Sequence, residues 1–187
     1  MFLASTDEAN ALLEREPFAL LLGMMLDQQI PMEKAFTSPH VLRERIGGTL
    51  DAAGLAAADP ETVEEMFRRT PALHRFPAAM ATRAQELARI VRDDYAGDAG
   101  AVWTTAASGE ELVKRLERLP GFGAQKARMF AALIGKQIGL PFEGWREATR
   151  PYGEPGTFAS AADVVDADSL AKVKQYKRAA KAAAKEQ

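Results

Sequence analysis

The residues best suited to bind a ligand form a short turn, Leu119-Pro120-Gly121-Phe122-Gly123, in which two glycines flank one apolar residue. Helix-forming sequence precedes and follows this turn, so the pattern predicts a hairpin between two helices. The glycines permit positive φ angles and close backbone approach, while Phe122 packs back and fixes the angle between the helices. Backbone N–H groups of the turn and of the next helix start are then exposed together, an arrangement that binds anions.

A phosphate diester suits such a site, because its oxygens fit a helix N-terminus and a surface contact removes little of its hydration. Four basic residues on the two predicted helices can supply positive charge: Lys114, Arg115, Lys126 and Arg128. The alternative is an ordinary corner between helices, with a glycine-rich turn and a solvated charged face. The turn alone leaves both interpretations open, since a Gly-x-Gly pair is a weak signal by itself.

Helix signals recur along the rest of the chain. Thr6 and Asp7 precede a first helix, Pro17 opens a second that is apolar on nearly every side, and Asp59-Pro60 starts another. Residues 78–95 repeat apolar positions every three or four residues, which predicts a long amphipathic helix. Sustained alternation of apolar and polar residues is missing, so the sequence predicts an all-α fold.

Other signals divide these helices. Pro31, Pro39 and Gly47-Gly48 are expected to break one stretch into short helices, and residues 96–107 to form a loop. Ser108 with Glu111 predicts a capping box at the start of the first hairpin helix. Asp168 or Ser169 is expected to cap a final basic helix over residues 170–186, whose lysines and arginine either hold phosphates or stay solvated: Lys172, Lys174, Lys177, Arg178 and Lys181.

Composition narrows the function classes. The 187 residues suffice for one large domain or two small ones, and they include no cysteine, which excludes disulfides, thiol catalysis and cysteine-ligated metal centres. His40 and His74 stand far apart, so each is expected to be structural or at the surface rather than a metal ligand. The N-terminus lacks a secretory pattern and no apolar run spans a membrane, so a cytoplasmic location is expected. With a net charge of −2, nucleic-acid binding requires a local concentration of basic residues.

Three stretches resemble the HhH-GPD superfamily of base-excision DNA glycosylases, which includes endonuclease III and adenine DNA glycosylase. LERLPGFGAQKARMFAALIG resembles the family's helix-hairpin-helix, FALLLGMMLDQQIPMEKAF its early helix, and MATRAQELARIV the helix before the hairpin. Their order and spacing agree over residues 17–145. The resemblance places Gln28 and Gln29 where the family carries a glutamine that enters the DNA, with Gln29 on the family position.

The resemblance implies a fold and a function. A six-helix bundle over residues 18–130 is expected beside a second helical subdomain built from residues 1–17 and 131–187. Duplex DNA would lie across the cleft between the two, and the target base would be flipped out of the stack, because the glycosidic bond is out of reach inside it. The hairpin residues, with Gln125, Lys126 and Arg128, would contact the DNA. A monovalent cation at the hairpin is also implied, without an iron–sulfur cluster.

The sequence departs from the family at its chemical centre. Counting from Leu119 places Glu143 where the family has a catalytic aspartate. A carboxylate there would stabilise positive charge on the sugar or orient water, but the extra methylene moves the charge by about 1 Å. Alternatively, Glu143 is a helix-start acid or pairs with Arg146. Gln125 replaces the nucleophilic lysine of bifunctional members, and the adjacent Lys126 points about 100° away, so no lyase activity is expected.

Two functions from different classes follow. The first is a monofunctional DNA glycosylase in base-excision repair, acting on a damaged or mispaired base through Glu143. The second is a non-catalytic DNA- or lesion-binding protein on the same scaffold. Trp145 and Tyr152 either stack on the flipped base or close the core between the two helical units.

Overall fold

The computed structural model describes residues 1–183, and its secondary structure in this range is helical, without a strand. The predicted all-α class is confirmed. The chain forms two compact units. The N-terminal unit comprises Leu3–Val102 and Arg118–Phe122, and the C-terminal unit comprises Met1–Phe2, Trp103–Glu117 and the described residues from Gly123 onward. This division runs differently from the predicted one, which put the first 17 residues with the C-terminal part and the hairpin helices in the bundle.

The N-terminal unit is built around one apolar helix. Its helices are α1 (Asp7–Arg15), α2 (Pro17–Leu26), α3 (Met32–Ile46), α4 (Ala52–Ala57), α5 (Pro60–Arg68) and α6 (Pro77–Asp94). In α2 every residue from Phe18 to Leu26 is buried. α3 crosses α2 at close range, because a Cβ built on Gly23 would lie 2.7 Å from Cδ1 of Phe36. α6 packs on α4 and α5 and completes this unit.

The predicted N-terminal signals of these helices are confirmed. Oγ1 of Thr6 accepts a hydrogen bond of 3.2 Å from the N–H of Ala9 and so caps α1. A carboxylate oxygen of Asp59 accepts one of 2.8 Å from the N–H of Thr62 and caps α5. Proline stands at the first position of α2, as the sequence predicted. Thr6 and Asp59 each accept a backbone N–H that the helix itself cannot pair, and Pro17 has no N–H that would need a partner.

Pro39 does not break the chain, contrary to the prediction. α3, 15 residues long, continues without interruption through Pro39. The hydroxyl of Ser38 lies 2.8 Å from the carbonyl oxygen of Lys34 and 2.9 Å from that of Leu73, which ties this turn of α3 to a distant segment. Ser38 and Pro39 are both buried. Tertiary packing therefore outweighs the one helical hydrogen bond that a proline removes.

The C-terminal unit holds the two hairpin helices. Its elements are α8 (Gly109–Glu117), α9 (Ala124–Leu133), a π-helical turn (Ile134–Ile138), α10 (Trp145–Ala148), a 3₁₀ turn (Ala161–Asp163) and α11 (Ala167–Ala183), and a short helix α7 (Ala101–Thr104) precedes them. α8 and α9 pack on each other, and α10 packs on both. No helix among the described residues is long and apolar enough to cross a lipid bilayer.

Three local predictions need correction here. The segment expected to be a loop contains α7, because Asp98 accepts the N–H of Gly100 at 2.8 Å and buried Val102 and Trp103 anchor the turn. The cap of α11 is Asp166, whose Oδ1 accepts the N–H of Ser169 at 2.8 Å; neither Asp168 nor Ser169 takes that role. The last residues of the predicted final helix, 184–186, lie outside the described residues.

The predicted capping box of α8 forms in an altered way. Oγ of Ser108 accepts the N–H of Glu111 at 3.2 Å, as a capping box requires. The Glu111 carboxylate, however, accepts the N–H of Ala107 at 2.8 Å, one residue earlier than the standard partner. These contacts fix the start of the first hairpin helix.

Candidate nucleic-acid interface

The turn between α8 and α9 is tightly defined. The N–H of Phe122 donates to the carbonyl oxygen of Leu119 at 3.1 Å, and both side chains are buried. Gly121 has φ of 81°, in the left-handed region that residues with a Cβ avoid. The predicted monovalent cation at this turn stays a prediction.

The backbone of Gly121 also lies very close to side chains of the N-terminal unit. A Cβ built on it would lie 3.0 Å from Cδ of Arg83 and 3.1 Å from Cγ of Met25. Met25 is fully buried, so it has little room to move. The fold thus requires glycine at this position for two reasons, backbone conformation and space.

Gly123 differs from Gly121 in both respects. Its φ of −86° and ψ of 172° are open to any residue, and a Cβ built on it would meet nothing within 4 Å. Gly123 stands at the N-terminus of α9 without a side-chain cap, and Ala124 and Gln125 after it are exposed. The first N–H groups of a helix lack intrahelical partners and carry the positive end of the helix dipole. This end of α9 therefore offers hydrogen-bond donors to an anion from solvent.

The basic residues near the hairpin are not equally available. Arg115 was expected to supply positive charge, but its Nη2 and Nε lie 2.5 and 2.9 Å from Oε1 of Glu111, and it also donates to Thr105. The Glu111 carboxylate, whose pKa is lowered first by the N–H of Ala107 and then by Arg115, largely neutralises this guanidinium. Lys114 is exposed. Arg115 therefore adds little net positive charge beside the hairpin, because its guanidinium is paired with Glu111.

The two glutamines after α2 lie in a bend that a histidine holds. Gln29 is exposed and has φ of 57°, which is uncommon for a residue with a side chain. Gln28 is half-buried, and its Nε2 donates to the carbonyl oxygen of Met25 at 3.3 Å. Nε2 of His74 lies 2.9 Å from the carbonyl oxygen of Gln28. Because Met25 also contacts Gly121, the structure brings Gln28 and the hairpin turn together within the N-terminal unit.

Glu143 lies in the bend before α10. Its side chain is exposed, and it forms no hydrogen bond or ion pair with any residue that the structure describes. The alternative in which it pairs with Arg146 is wrong, since that guanidinium donates to the carbonyl oxygen of Gly153 at 2.9 Å and stacks on Trp145. Gly144, at φ of 77°, then turns the backbone into α10.

Close backbone contacts fix the position of this bend in the C-terminal unit. A Cβ built on Gly109, at the start of α8, would lie 2.7 Å from Cα of Trp145 and 3.2 Å from the carbonyl oxygen of Gly144. A Cβ on Gly135 would lie 2.5 Å from Cε3 of the Trp145 ring. Sequence analysis missed both glycines, because only the folded chain brings them to this bend. Together they hold the backbone that carries Glu143.

The two predicted base-stacking residues are engaged in packing. The Trp145 ring lies against Gly135, and the guanidinium carbon of Arg146 is 4.4 Å from the ring centroid. Tyr152 is buried, and its hydroxyl oxygen accepts a hydrogen bond of 2.8 Å from Nε2 of Gln125. In this structure both aromatics pack within the C-terminal unit. Both predicted roles, stacking on a flipped base and closing the core between the two helical units, stay predictions.

A largely buried ion pair in the same unit was not predicted. Nζ of Lys136 lies 2.5 Å from Oδ1 of Asp163 and 2.7 Å from the carbonyl oxygen of Glu154. Oδ2 of Asp163 accepts the N–H of Ala159 at 2.9 Å. The adjacent Gln137 donates to three carbonyl oxygens of the 3₁₀ region, those of Ala161, Ala162 and Val164. Lys136 and Gln137 of the π-helical turn thus bind the segment before α11, and their role is structural.

No protein-family model, curated protein or solved structure matches this chain. Among the described residues, no group of three or more acidic, histidine or cysteine side chains is placed to hold a metal ion.

Proposed function

We propose that this protein binds duplex DNA through the hairpin and acts as a monofunctional DNA glycosylase in base-excision repair, with Glu143 as its carboxylate. The observation that carries the proposal is the start of α9, which is exposed and has no side-chain cap, because Gly123 stands at its N-cap position. The proposal agrees with the resemblance of three stretches, in order, to the base-excision glycosylases.

The glycine at 123 supports a ligand at this place. Neither its backbone conformation nor its surroundings demand glycine, since any side chain would point into open space. A phosphate oxygen that bonds to the N–H groups of α9 needs that space, because a side chain would keep the phosphate away from the donors. The contacts of the hairpin would therefore position the duplex without reading its sequence.

Glu143 fits the chemical step by charge and availability. In glycosidic hydrolysis, water adds to C1′ of the deoxyribose as the bond to the base nitrogen breaks, and the base leaves with a proton. Positive charge develops on the sugar during this step, and an ionised carboxylate stabilises it. The exposed carboxylate of Glu143 has no protein partner among the described residues to compete with that role. Bound DNA would exclude water around it and strengthen the interaction.

The same region supports hydrolysis without lyase chemistry. Gln125 occupies the position of the nucleophilic lysine in bifunctional glycosylases, and its amide donates to the hydroxyl of Tyr152. An amide is not a nucleophile towards the sugar, so strand cleavage after base release is not expected.

A second candidate is a non-catalytic protein that binds DNA or a lesion on the same scaffold. The packing of Trp145 and Tyr152 favours it, because neither ring is free in this structure to stack on a flipped base. In this case the hairpin and the Gln28–Gln29 bend would serve recognition alone.

A base-release assay separates the two candidates. The purified protein is incubated with a panel of duplexes, each with one damaged or mispaired base, and the free base and the abasic site are measured. The glycosylase releases one class of base and leaves the strand intact until alkali is added. Lesion-dependent binding without base release from any duplex would favour the second candidate, and absence of DNA binding would contradict both.

A further inference from the structure

We propose that Arg83 is a phosphate-binding residue of the N-terminal unit, which deepens and rests on the proposed DNA-binding function. Arg83 lies on α6, outside the hairpin that the sequence singled out. Its side chain is half-buried against the hairpin turn, with Cδ 3.0 Å and Nε 3.8 Å from the place where a Cβ of Gly121 would stand. The missing side chain of Gly121 thus makes room for the stem of Arg83.

The guanidinium of Arg83 has no protein partner. Among the described residues it forms no hydrogen bond and no ion pair, whereas Arg92 on the same helix holds Asp93 with contacts of 2.6 and 2.9 Å. Because the stem is packed, the Arg83 side chain has less conformational entropy to lose on binding than a fully exposed arginine. Its unpaired guanidinium presents a planar set of donors that matches two phosphate oxygens.

The position of Arg83 fits a ligand with repeated negative charges. It stands against Gly121, two residues before the N-terminus of α9, so its charge lies beside the hairpin by chain connectivity alone. The backbone of a nucleic acid carries a phosphate at every nucleotide and so offers anions at closely spaced points.

The test compares two arginines of α6. Arg83→Met keeps the apolar stem on Gly121 and removes the guanidinium, and Arg89→Met removes the same charge from an exposed site about 120° around the helix. Binding to a plain duplex is measured by fluorescence anisotropy between about 50 and 200 mM salt. Arg83→Met should weaken binding about tenfold and lower the slope of log K against log salt by about 0.9. Arg83→Lys should keep the slope and lose part of the affinity, because a lysine retains the charge without the planar donors.

The outcomes separate this inference from the function on which it rests. If Arg83→Met and Arg89→Met bind alike while Gly123→Val binds weakly, Arg83 is not a phosphate ligand and the proposed function stands. If the wild-type protein does not bind duplex DNA, the proposed function fails first. Thermal unfolding of each variant verifies that it is folded. The proposal is supported if the slope of log K against log salt is that of the wild type for Arg83→Lys and is reduced for Arg83→Met.

Discussion

The imidazole of His74 is joined to the backbone of Gln28 by a hydrogen bond of 2.9 Å between Nε2 and the carbonyl oxygen. The other ring nitrogen, Nδ1, accepts the N–H of Phe76 at 3.0 Å, so Nε2 carries the hydrogen and donates it. His74 is 1% exposed, and it connects the bend after α2 to the segment before α6. One buried side chain thus sets the backbone from which Gln29 extends.

The first prediction concerns this ring. His74→Ala leaves a cavity and removes both hydrogen bonds, so the free energy of unfolding should fall by about 2–4 kcal/mol. His40→Ala is the control, because His40 is partly exposed and its Nε2 lies 3.6 Å from a carboxylate oxygen of Glu44. Chemical denaturation of both variants provides the comparison, and equal losses would show that His74 does not hold the bend.

The two hairpin glycines should respond differently to alanine. At Gly121 a Cβ meets Met25 and Arg83 and forces a left-handed residue, so Gly121→Ala should lower the free energy of unfolding by about 1–3 kcal/mol. At Gly123 the same change meets open space and costs only the preference of an N-cap position for glycine over alanine, below about 1 kcal/mol. Thermal unfolding measures both, and a loss at Gly123→Ala as large as that at Gly121→Ala would mean that the fold itself needs glycine there.

Acid should weaken the cap of α11. The N–H and hydroxyl of Ser169 hold the pKa of Asp166 below its ordinary value of 3.8. A carboxylate with a lowered pKa in the folded state stabilises the fold above its unfolded pKa, and this contribution is lost as the pH falls through the folded pKa. The melting temperature should therefore decrease as the pH is lowered below about 4. Asp166→Asn should flatten that part of the plot of melting temperature against pH, because asparagine caps a helix without titrating. An unchanged profile would exclude Asp166 as a source of the acid sensitivity.

Local signals predicted the helices well where they depend on neighbouring residues alone. Thr6, Pro17 and Asp59 mark helix starts through groups within three or four positions, and each is where the sequence placed it. Pro39 does not end a helix as its residue type suggests, because burial of α3 against distant residues compensates for a lost backbone hydrogen bond. Asp166 was passed over for Asp168 or Ser169, which shows that several adjacent capping residues do not reveal which one bonds.

The candidate site was only partly predictable for the same reason. The turn of Leu119–Gly123 and the Gln28–Gln29 bend were visible as sequence patterns. The contacts of Arg83 with Gly121, of His74 with Gln28 and of Lys136 with Asp163 join residues 38, 46 and 27 positions apart. No local pattern encodes such pairs, and the loss of Arg115 to Glu111 also depends on which rotamer the folded helix selects.

Glu143 has its own test, provided that the wild-type protein releases a base. Glu143→Gln keeps the length of the side chain and removes its charge, so the single-turnover rate should fall about a hundredfold, equal to roughly 3 kcal/mol, with DNA affinity equal or higher. Glu147→Gln, which removes an exposed acid from α10, should release the base at the wild-type rate. If Glu143→Gln is as fast as wild type, Glu143 has no part in the chemistry.

The most direct measurement of the central claim, that α9 binds DNA phosphate at Gly123, is duplex binding by two matched valine variants. Gly123 and Gly48 are both exposed, and a Cβ at either position would meet nothing within 4 Å. Neither residue has a left-handed backbone conformation. Both variants should fold, so only the place of the added side chain differs. Wild type and Gly48→Val should bind duplex DNA with equal affinity that falls steeply between about 50 and 200 mM salt, and Gly123→Val should bind at least about tenfold more weakly. Equal binding by all three proteins, or binding that does not respond to salt, would contradict the account.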